Sequence, residues 1–390
     1  MKIGYLQELY PEKRCIVGKL NDVDYIKCGA TGNIFDRAVQ LMRSKLGMQT
    51  SWDSLSIIRK GVPKSIDVVH SFNATCDIDN YWCVTFESTV PRTDFTVNRD
   101  WEKNDKSYRP DDFTKYQLDL LKKKNCLAIL ALSKNAYDIQ VNMLKRLNVE
   151  SSETIINKMH ILHPPQSLMA DKILVEEKYQ HMDSPLEVLF VGRLFFRKGG
   201  DVLIDVLTKL KKDHQIHLTV VSSMEYGDLV SASTEKDRQK YEKIISESDW
   251  ITFYSSLPNS EVLKLSKKAH IGCLPTLADT YGFSVLEMQA CGCPVITTNI
   301  RALPEINNDD TGWICNLNTY PVSHEATVFT PDQLKQNKEI LKNELMRVFE
   351  SIFADPAVLA DKAICSIERI KSEHDPDKYQ EFIRNIYQQR

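Results

Sequence analysis

Glu187-Val-Leu-Phe-Val-Gly-Arg-Leu-Phe-Phe-Arg-Lys-Gly-Gly-Asp201 reads as three pieces in a row. Glu187–Val191 is an apolar run of buried-strand length, and Gly192 to Gly200 is a basic, glycine-containing turn. From Asp201 to Asp213, the residues Val202, Leu203, Val206, Leu207 and Leu210 fall on one helical face. A strand feeding a helix through such a turn is the unit of a parallel sheet covered by helices. The unit repeats downstream. Further strands are expected at Ile216–Val221, Trp250–Tyr254, His270–Leu274 and Pro294–Thr298, with helices at Glu235–Ser248, Asn259–Lys268 and Phe283–Cys291.

Upstream the alternation is less regular. Lys2–Leu6, Ile66–Phe72, Tyr81–Phe86, Leu127–Leu132 and Lys158–Leu162 are strand candidates, and Ile34–Leu46, Asp111–Lys123 and Asn135–Leu147 are helix candidates. Pro164-Pro165 ends this half, because proline donates no ladder hydrogen bond and restricts the residue before it. The polar stretch Gln166 to Pro185 reads as a linker, and the tail from Pro331 reads as helical, with breaks near Asp355-Pro356 and Asp375-Pro376. The architecture expected is α/β: two doubly wound domains with a cleft between them.

The chain has 390 residues and a formal net charge of −3, with 42% hydrophobic and 26% charged residues. That composition is of a globular enzyme's kind, not of a disordered chain, and offers no global basic balance for nucleic acid. No apolar run approaches the ~20 residues that span a bilayer, and Met1 to Arg14 has no signal-peptide core. A cytoplasmic protein follows as the default. The ten cysteines form no Cys-x2-Cys pair and are expected to be free, buried thiols. Glycine is scarce: the chain has 14, where average usage of about 7% would give roughly 27.

Two loops carry candidate chemistry. In the first, Gly192, Gly199 and Gly200 allow close backbone approach at a helix N-terminus, where unpaired amides favour an anion. Arg193 offers a bidentate fork to phosphate oxygens and Lys198 a point charge. A glycine turn with basic residues facing water would use the same letters. The second is Leu274-Pro-Thr-Leu-Ala-Asp-Thr-Tyr-Gly-Phe-Ser-Val-Leu-Glu287. Asp279 in the loop and Glu287 on the following helix can face one pocket. Carboxylates suit hydroxyl-rich ligands because each accepts several hydrogen bonds, and amides at Tyr281, Gly282 and Phe283 would complete the pocket. An acidic helix cap is the plainer alternative.

Taken in order, these landmarks resemble the donor half of retaining, nucleotide-sugar glycosyltransferases of family 4 (the group-1 type, GT-B fold). Gly192-Arg-Leu…Lys198-Gly199 is similar to that family's diphosphate loop, and Ile251-Thr-Phe-Tyr-Ser-Ser-Leu-Pro258 to its base-lining segment. Pro275-Thr276 with Asp279-x7-Glu287 resembles its Pro-Ser and Glu-x7-Glu signature, followed by Cys291-Gly-Cys-Pro-Val295 and Pro304-Glu305-Ile306. The resemblance implies two Rossmann-like domains facing an interdomain cleft. Their expected bounds are 1–168 for the acceptor side, 169–373 for the donor side, and a helix at 374–390 packing back on the first domain.

It further implies that Arg193 and Lys198 bind a diphosphate and that Glu287 holds ribose hydroxyls. Tyr254 and Ser255 would line the base, and Asp279 with the Tyr281, Gly282 and Phe283 segment would hold the donor sugar. Asp279 replaces the family's first Glu and is one methylene shorter. Ser222 and Ser255 stand where glycines are usual. His163-Pro164-Pro165-Gln166 replaces an Asn-Gly turn, so a stiffer hinge is expected. In the first half the resemblance is weaker. Glu87 falls near a histidine of the family and joins Arg193, Lys198 and Asp279 as a candidate catalytic residue. Gly29, Gly32 and His70 are candidates for the acceptor or phosphate side, with a hydrogen-bonded strand residue as the other reading of His70. Acceptor recognition is expected in Arg92 to Asp112, and Leu9 to Lys27 reads as an insertion.

The activity implied is metal-independent transfer of a sugar, with retention, from a nucleoside diphosphate sugar to a glycan or other hydroxyl acceptor. No cofactor is called for, since the nucleotide sugar is a substrate. A nucleotide-sugar epimerase on the same fold and a non-catalytic sugar-nucleotide or glycan-binding module are the alternatives. Peripheral membrane contact stays open, and no nucleic-acid partner is expected.

Overall fold

The structure, a computed structural model, describes residues 1–31, 38, 41–42, 53–97, 109–180, 185–228, 230–320, 323–325 and 330–390. It divides into two compact units, Met1–Pro165 with Pro376–Arg390, and Gln166–Asp375. Most of the Ile34–Leu46 helix candidate, and most of the expected acceptor loop, lie outside the described residues.

In the first unit, β1 (Lys2–Tyr5), β2 (Asp24–Lys27), β5 (Val68–Phe72), β7 (Tyr81–Phe86), β8 (Cys126–Ala131) and β9 (Met159–Ile161) form one parallel sheet. Its order is β2-β1-β5-β7-β8-β9, so the winding reverses between β1 and β5. A small sheet of β3 (Ala30–Thr31), β4 (Ile57–Lys60) and β6 (Thr75–Cys76) accompanies it. The central strands are buried: Trp82, Val84, Phe86 and Ile129 are all fully enclosed. Helix Asp112–Lys122 starts where the Asp111 side chain accepts from the Thr114 amide. The Leu9 to Lys27 insertion is ordered, supplying helix Tyr10–Cys15 and the edge strand β2.

Helix Pro376–Tyr387 belongs to this unit. Its Tyr379, Ile383, Ile386 and Tyr387 pack with Ile3, Val68, Cys83 and Leu130, because an i, i+4, i+7, i+8 stripe is what a sheet face can bury. The Tyr387 hydroxyl lies 2.7 Å from His70 Nδ1, and His70 Nε2 lies 2.7 Å from the Thr85 hydroxyl.

The second unit holds β10 (Leu186–Leu194), β11 (Ile216–Ser223), β12 (Ile251–Tyr254), β13 (Ile271–Cys273), β14 (Val295–Thr298) and β15 (Gly312–Cys315). All pairs are parallel, in the order β12-β11-β10-β13-β14-β15. This is the doubly wound order, with its reversal between β10 and β13. The sequence alternation predicted all but β15. It also placed the Leu186–Leu194 strand's end too early: the ladder continues to Leu194 through an irregularity after Val191. The long tail forms helices Pro331–Ala354 and Val358–Glu373, interrupted at Asp355.

The Gln166 to Pro185 stretch is not a linker throughout. It carries helix Lys172–Gln180, docked in the second unit by Val175 against Ala363 and Ile367. Lys178 and Tyr179 donate to the Gly292 and His270 carbonyls, respectively. Its anchoring thus runs largely through polar tips, while Ile173 and Leu174 are exposed. Among the described residues no helix is long and apolar enough to cross a membrane.

Burial pushes His70 down to about 3 from its ordinary 6.5. The unfolded chain takes up a proton near the upper value and the folded one only near the lower. Stability from this group is therefore complete above pH ~6.5 and falls as the pH drops towards 3, by up to about 1.4 kcal/mol per pH unit. Denaturant unfolding of wild type and His70→Asn across pH 4–7 should give a shallower acid loss in the variant, despite its lower stability at pH 7.

Candidate functional site

The β10/β13 reversal opens a crevice at the strands' carboxyl ends, the position where open α/β sheets take ligands. The two candidate loops meet there. Phe195 and Phe196 leave β10 and turn inward, packed edge-on against each other and on Phe190 and Tyr241. This anchor returns the chain in a tight turn, with the Gly200 amide bonded to the Phe195 carbonyl at 2.9 Å. Gly199 takes the left-handed conformation (φ 77°) and starts helix Gly200–Leu210. A Cβ there would lie 2.0 Å from the Pro275 carbonyl oxygen. The loops are further joined by the Leu277 amide to the Arg197 carbonyl at 2.9 Å, and by the Thr276 hydroxyl to the same carbonyl at 3.3 Å.

Lys198 and Asp279 are in direct contact: Nζ donates to Oδ2 at 2.7 Å and to the Ala278 carbonyl at 3.0 Å. Arg193 differs. Its side chain is 82% exposed, with Glu225 at 3.5 Å. Behind it the Ser222 and Ser223 hydroxyls donate to the Arg193 carbonyl, so these serines fasten the strand end.

Gly282 (φ 96°) starts helix Phe283–Ala290, and a Cβ there would clash with Leu303. Not all the amides before this helix are available, as the sequence reading had them: the Tyr281 amide donates to Asp279 Oδ1 at 3.2 Å. The Tyr281 side chain is buried beside Phe283. Glu287 is 4% exposed and accepts from Asn259 Nδ2 at 2.9 Å. Asn259, the first residue of helix Asn259–Lys268, has no motif signal and was missed. Tyr254 and Ser255 are exposed at the carboxyl end of the edge strand β12. The structure thus brings Gly192, Lys198 and Asp279 together at one strand-end edge, with Gly282 and Glu287 at and on the helix that the second loop opens and Arg193 projecting outward.

In the first unit, Glu87 follows β7, and its Oε1 accepts from Arg92 at 2.8 Å and Asn73 at 3.2 Å. Asn73 follows β5, so this cluster also sits at strand carboxyl ends. Gly29 (φ 80°) donates its amide to the Gly61 carbonyl at 2.7 Å, beside the small sheet. His70 is enclosed with both ring nitrogens engaged, which matches its reading as a hydrogen-bonded strand residue. Gly32 lies outside the described residues.

The sequence profile of the family described as "Glycosyl transferases group 1" matches residues 171–326, the part of the second unit that holds both loops. That segment is similar to the group 1 glycosyltransferases. Among its curated relatives is the phosphatidylinositol N-acetylglucosaminyltransferase gpi3 subunit of Schizosaccharomyces pombe. It is 27% identical over 152 residues, 37% of this chain and 32% of that one. The chain spans about a third of the length of the curated relatives it matches. Solved structures extend the likeness to the whole fold. A glycosyltransferase from Rickettsia africae superposes with a TM-score of 0.57 at 16% identity, over 94% of this chain and 85% of that one. Anabaena Alr3699/HepE in complex with UDP superposes with a TM-score of 0.59 at 11% identity, over the full length of both. The fold is GT-B, with two doubly wound α/β domains.

The close fit of the two loops depends on Gly199. A Gly199→Ala substitution adds a methyl at a positive φ and against a carbonyl oxygen, which should cost about 1–3 kcal/mol. Chemical denaturation should show a larger loss than in a Gly227→Ala control, which carries the φ strain (φ 84°) but whose Cβ meets nothing within 4 Å.

Proposed function

We propose that the protein transfers a sugar from a nucleoside diphosphate sugar to an acceptor hydroxyl, keeping the anomeric configuration and using no metal ion. The observation that carries this reading is the contact of Lys198 with Asp279 where two strand-end loops interlock at the β10/β13 reversal, with Glu287 on the helix that the second loop opens. A cation beside one carboxylate, with a second carboxylate on that helix, matches a ligand with a polyanionic centre and hydroxyl-bearing ends.

In this mechanism the bond from the anomeric carbon to the terminal phosphate oxygen breaks, and negative charge grows on the diphosphate. Arg193, Lys198 and the positive ends of helices Gly200–Leu210 and Phe283–Ala290 stabilise that charge. The acceptor oxygen bonds to the anomeric carbon from the face the phosphate leaves. Its proton passes to a phosphate oxygen on that face, so configuration is retained and no protein base is needed. Glu287, steadied by Asn259, accepts from ribose hydroxyls, and Tyr254 and Ser255 flank the base. Glu87, held by Arg92 and Asn73, is the acceptor-side carboxylate. Exclusion of water from the closed site would limit donor hydrolysis.

UDP-glucose, present in the structure of Anabaena Alr3699/HepE with that ligand, is the first donor to test. A thermal-shift screen of UDP-, GDP-, ADP- and dTDP-sugars should find at least one that raises the melting temperature, since a ligand that binds only the folded state stabilises it by mass action. With that donor, Lys198→Ala and Glu287→Ala should each cut turnover on the order of 10²–10³-fold while remaining folded. Unchanged turnover in both variants would overturn the assignment.

A further inference from the structure

Lys198 and Asp279 are the two groups of the proposed donor site with the most opposite needs, and in the structure they satisfy each other. The Lys198 ammonium sits 2.7 Å from Asp279 Oδ2 and 3.0 Å from the Ala278 carbonyl oxygen. Asp279 Oδ1 accepts the Tyr281 amide at 3.2 Å. Each side chain is only 16% exposed, so water does little to hydrate either charge. The lysine stem is also confined: a Cβ on Gly192 would lie 2.9 Å from its Cγ.

We propose that this ion pair is a resting lock, which the intact donor opens by exchange. The diphosphate takes the ammonium, and the hydroxyls of the attached sugar take the carboxylate. This rests on the donor-site reading above and adds a consequence to it. A nucleoside diphosphate without a sugar draws Lys198 away but gives Asp279 nothing in return. The carboxylate is then poorly hydrated, has lost its cation and stands beside a new anion. Separating a partly buried pair and adding a like charge both oppose binding. The intact donor avoids this, because hydroxyl donors replace the ammonium at the carboxylate. The lock therefore makes the site favour the sugar-bearing nucleotide over the nucleoside diphosphate that remains after transfer. Asp279 acts on diphosphate affinity through Lys198, not only by touching sugar.

Isothermal titration of the full chain separates the possibilities. Wild type and Asp279→Asn are titrated with UDP, GDP, ADP and dTDP, with thermal unfolding as the check that the variant is folded. For the nucleotide that binds wild type, Asp279→Asn should bind it at least tenfold more tightly, because no counter-charge has to be abandoned. Equal or weaker binding by Asp279→Asn overturns the exchange and leaves the donor site standing. A second measurement needs no variant: wild type is titrated with the glucose, N-acetylglucosamine and mannose conjugates of that nucleotide. At least one should bind tenfold or more tightly than the bare diphosphate, and the exchange fails if none does. Failure of wild type to bind any of the four diphosphates would overturn the donor-site reading itself, and the exchange with it.

Discussion

Lys198 and Asp279 are 81 residues apart in sequence and joined by one charged hydrogen bond. Around that bond two loops are fitted so closely that one residue of the first, Gly199, has no room for a side chain next to a carbonyl of the second. Sheet winding makes this possible. β10 and β13 are neighbours, yet the chain between them goes out to β12 and back, so the loops after them arrive at the same edge from opposite sides. Helices Gly200–Leu210 and Phe283–Ala290 then begin at that edge, with their positive ends at one crevice. The site is a consequence of topology, and the residues within it refine what topology supplies.

The first unit uses the same winding for a different end. Its reversal lies between β1 and β5, and beyond the strand ends stand Asn73, Glu87 and Arg92 in one hydrogen-bonded group. Part of this unit's core is closed by helix Pro376–Tyr387, whose Tyr387 reaches the enclosed His70 and whose Tyr379 hydroxyl donates to the Cys15 carbonyl. A histidine sealed among apolar strands is polar chemistry used for fit.

How much of this was legible in the sequence depended on whether a feature is local. Strands such as Ile216–Ser223 show as short apolar runs because both faces are buried, and helices such as Asn259–Lys268 show in periodicity because one face is. The two ligand loops were legible because glycine is scarce in this chain and marks them. What was hidden is pairwise and distant. Nothing in the letters around Asn259 says that it will meet Glu287, and nothing in Tyr281 says that its amide will be claimed by Asp279. Phe195 and Phe196 sit inside a stretch that draws attention to its basic and glycine residues, yet they anchor the turn. Helix Lys172–Gln180 was read as linker because a helix held by lysine and tyrosine tips lacks a broad apolar stripe.

The division of the chain has a consequence for its synthesis. The second unit is one continuous segment, whereas the first is split, with its last piece at 376–390. A ribosome delivers the whole of the continuous unit before it delivers the helix that covers Ile3, Val68 and Leu130. The usual vectorial order, in which the amino-terminal domain matures first, is therefore reversed. The second unit can be complete while the earlier-made sheet still exposes an apolar face. During that interval the uncovered sheet is the part of the nascent chain most open to chaperones and to aggregation.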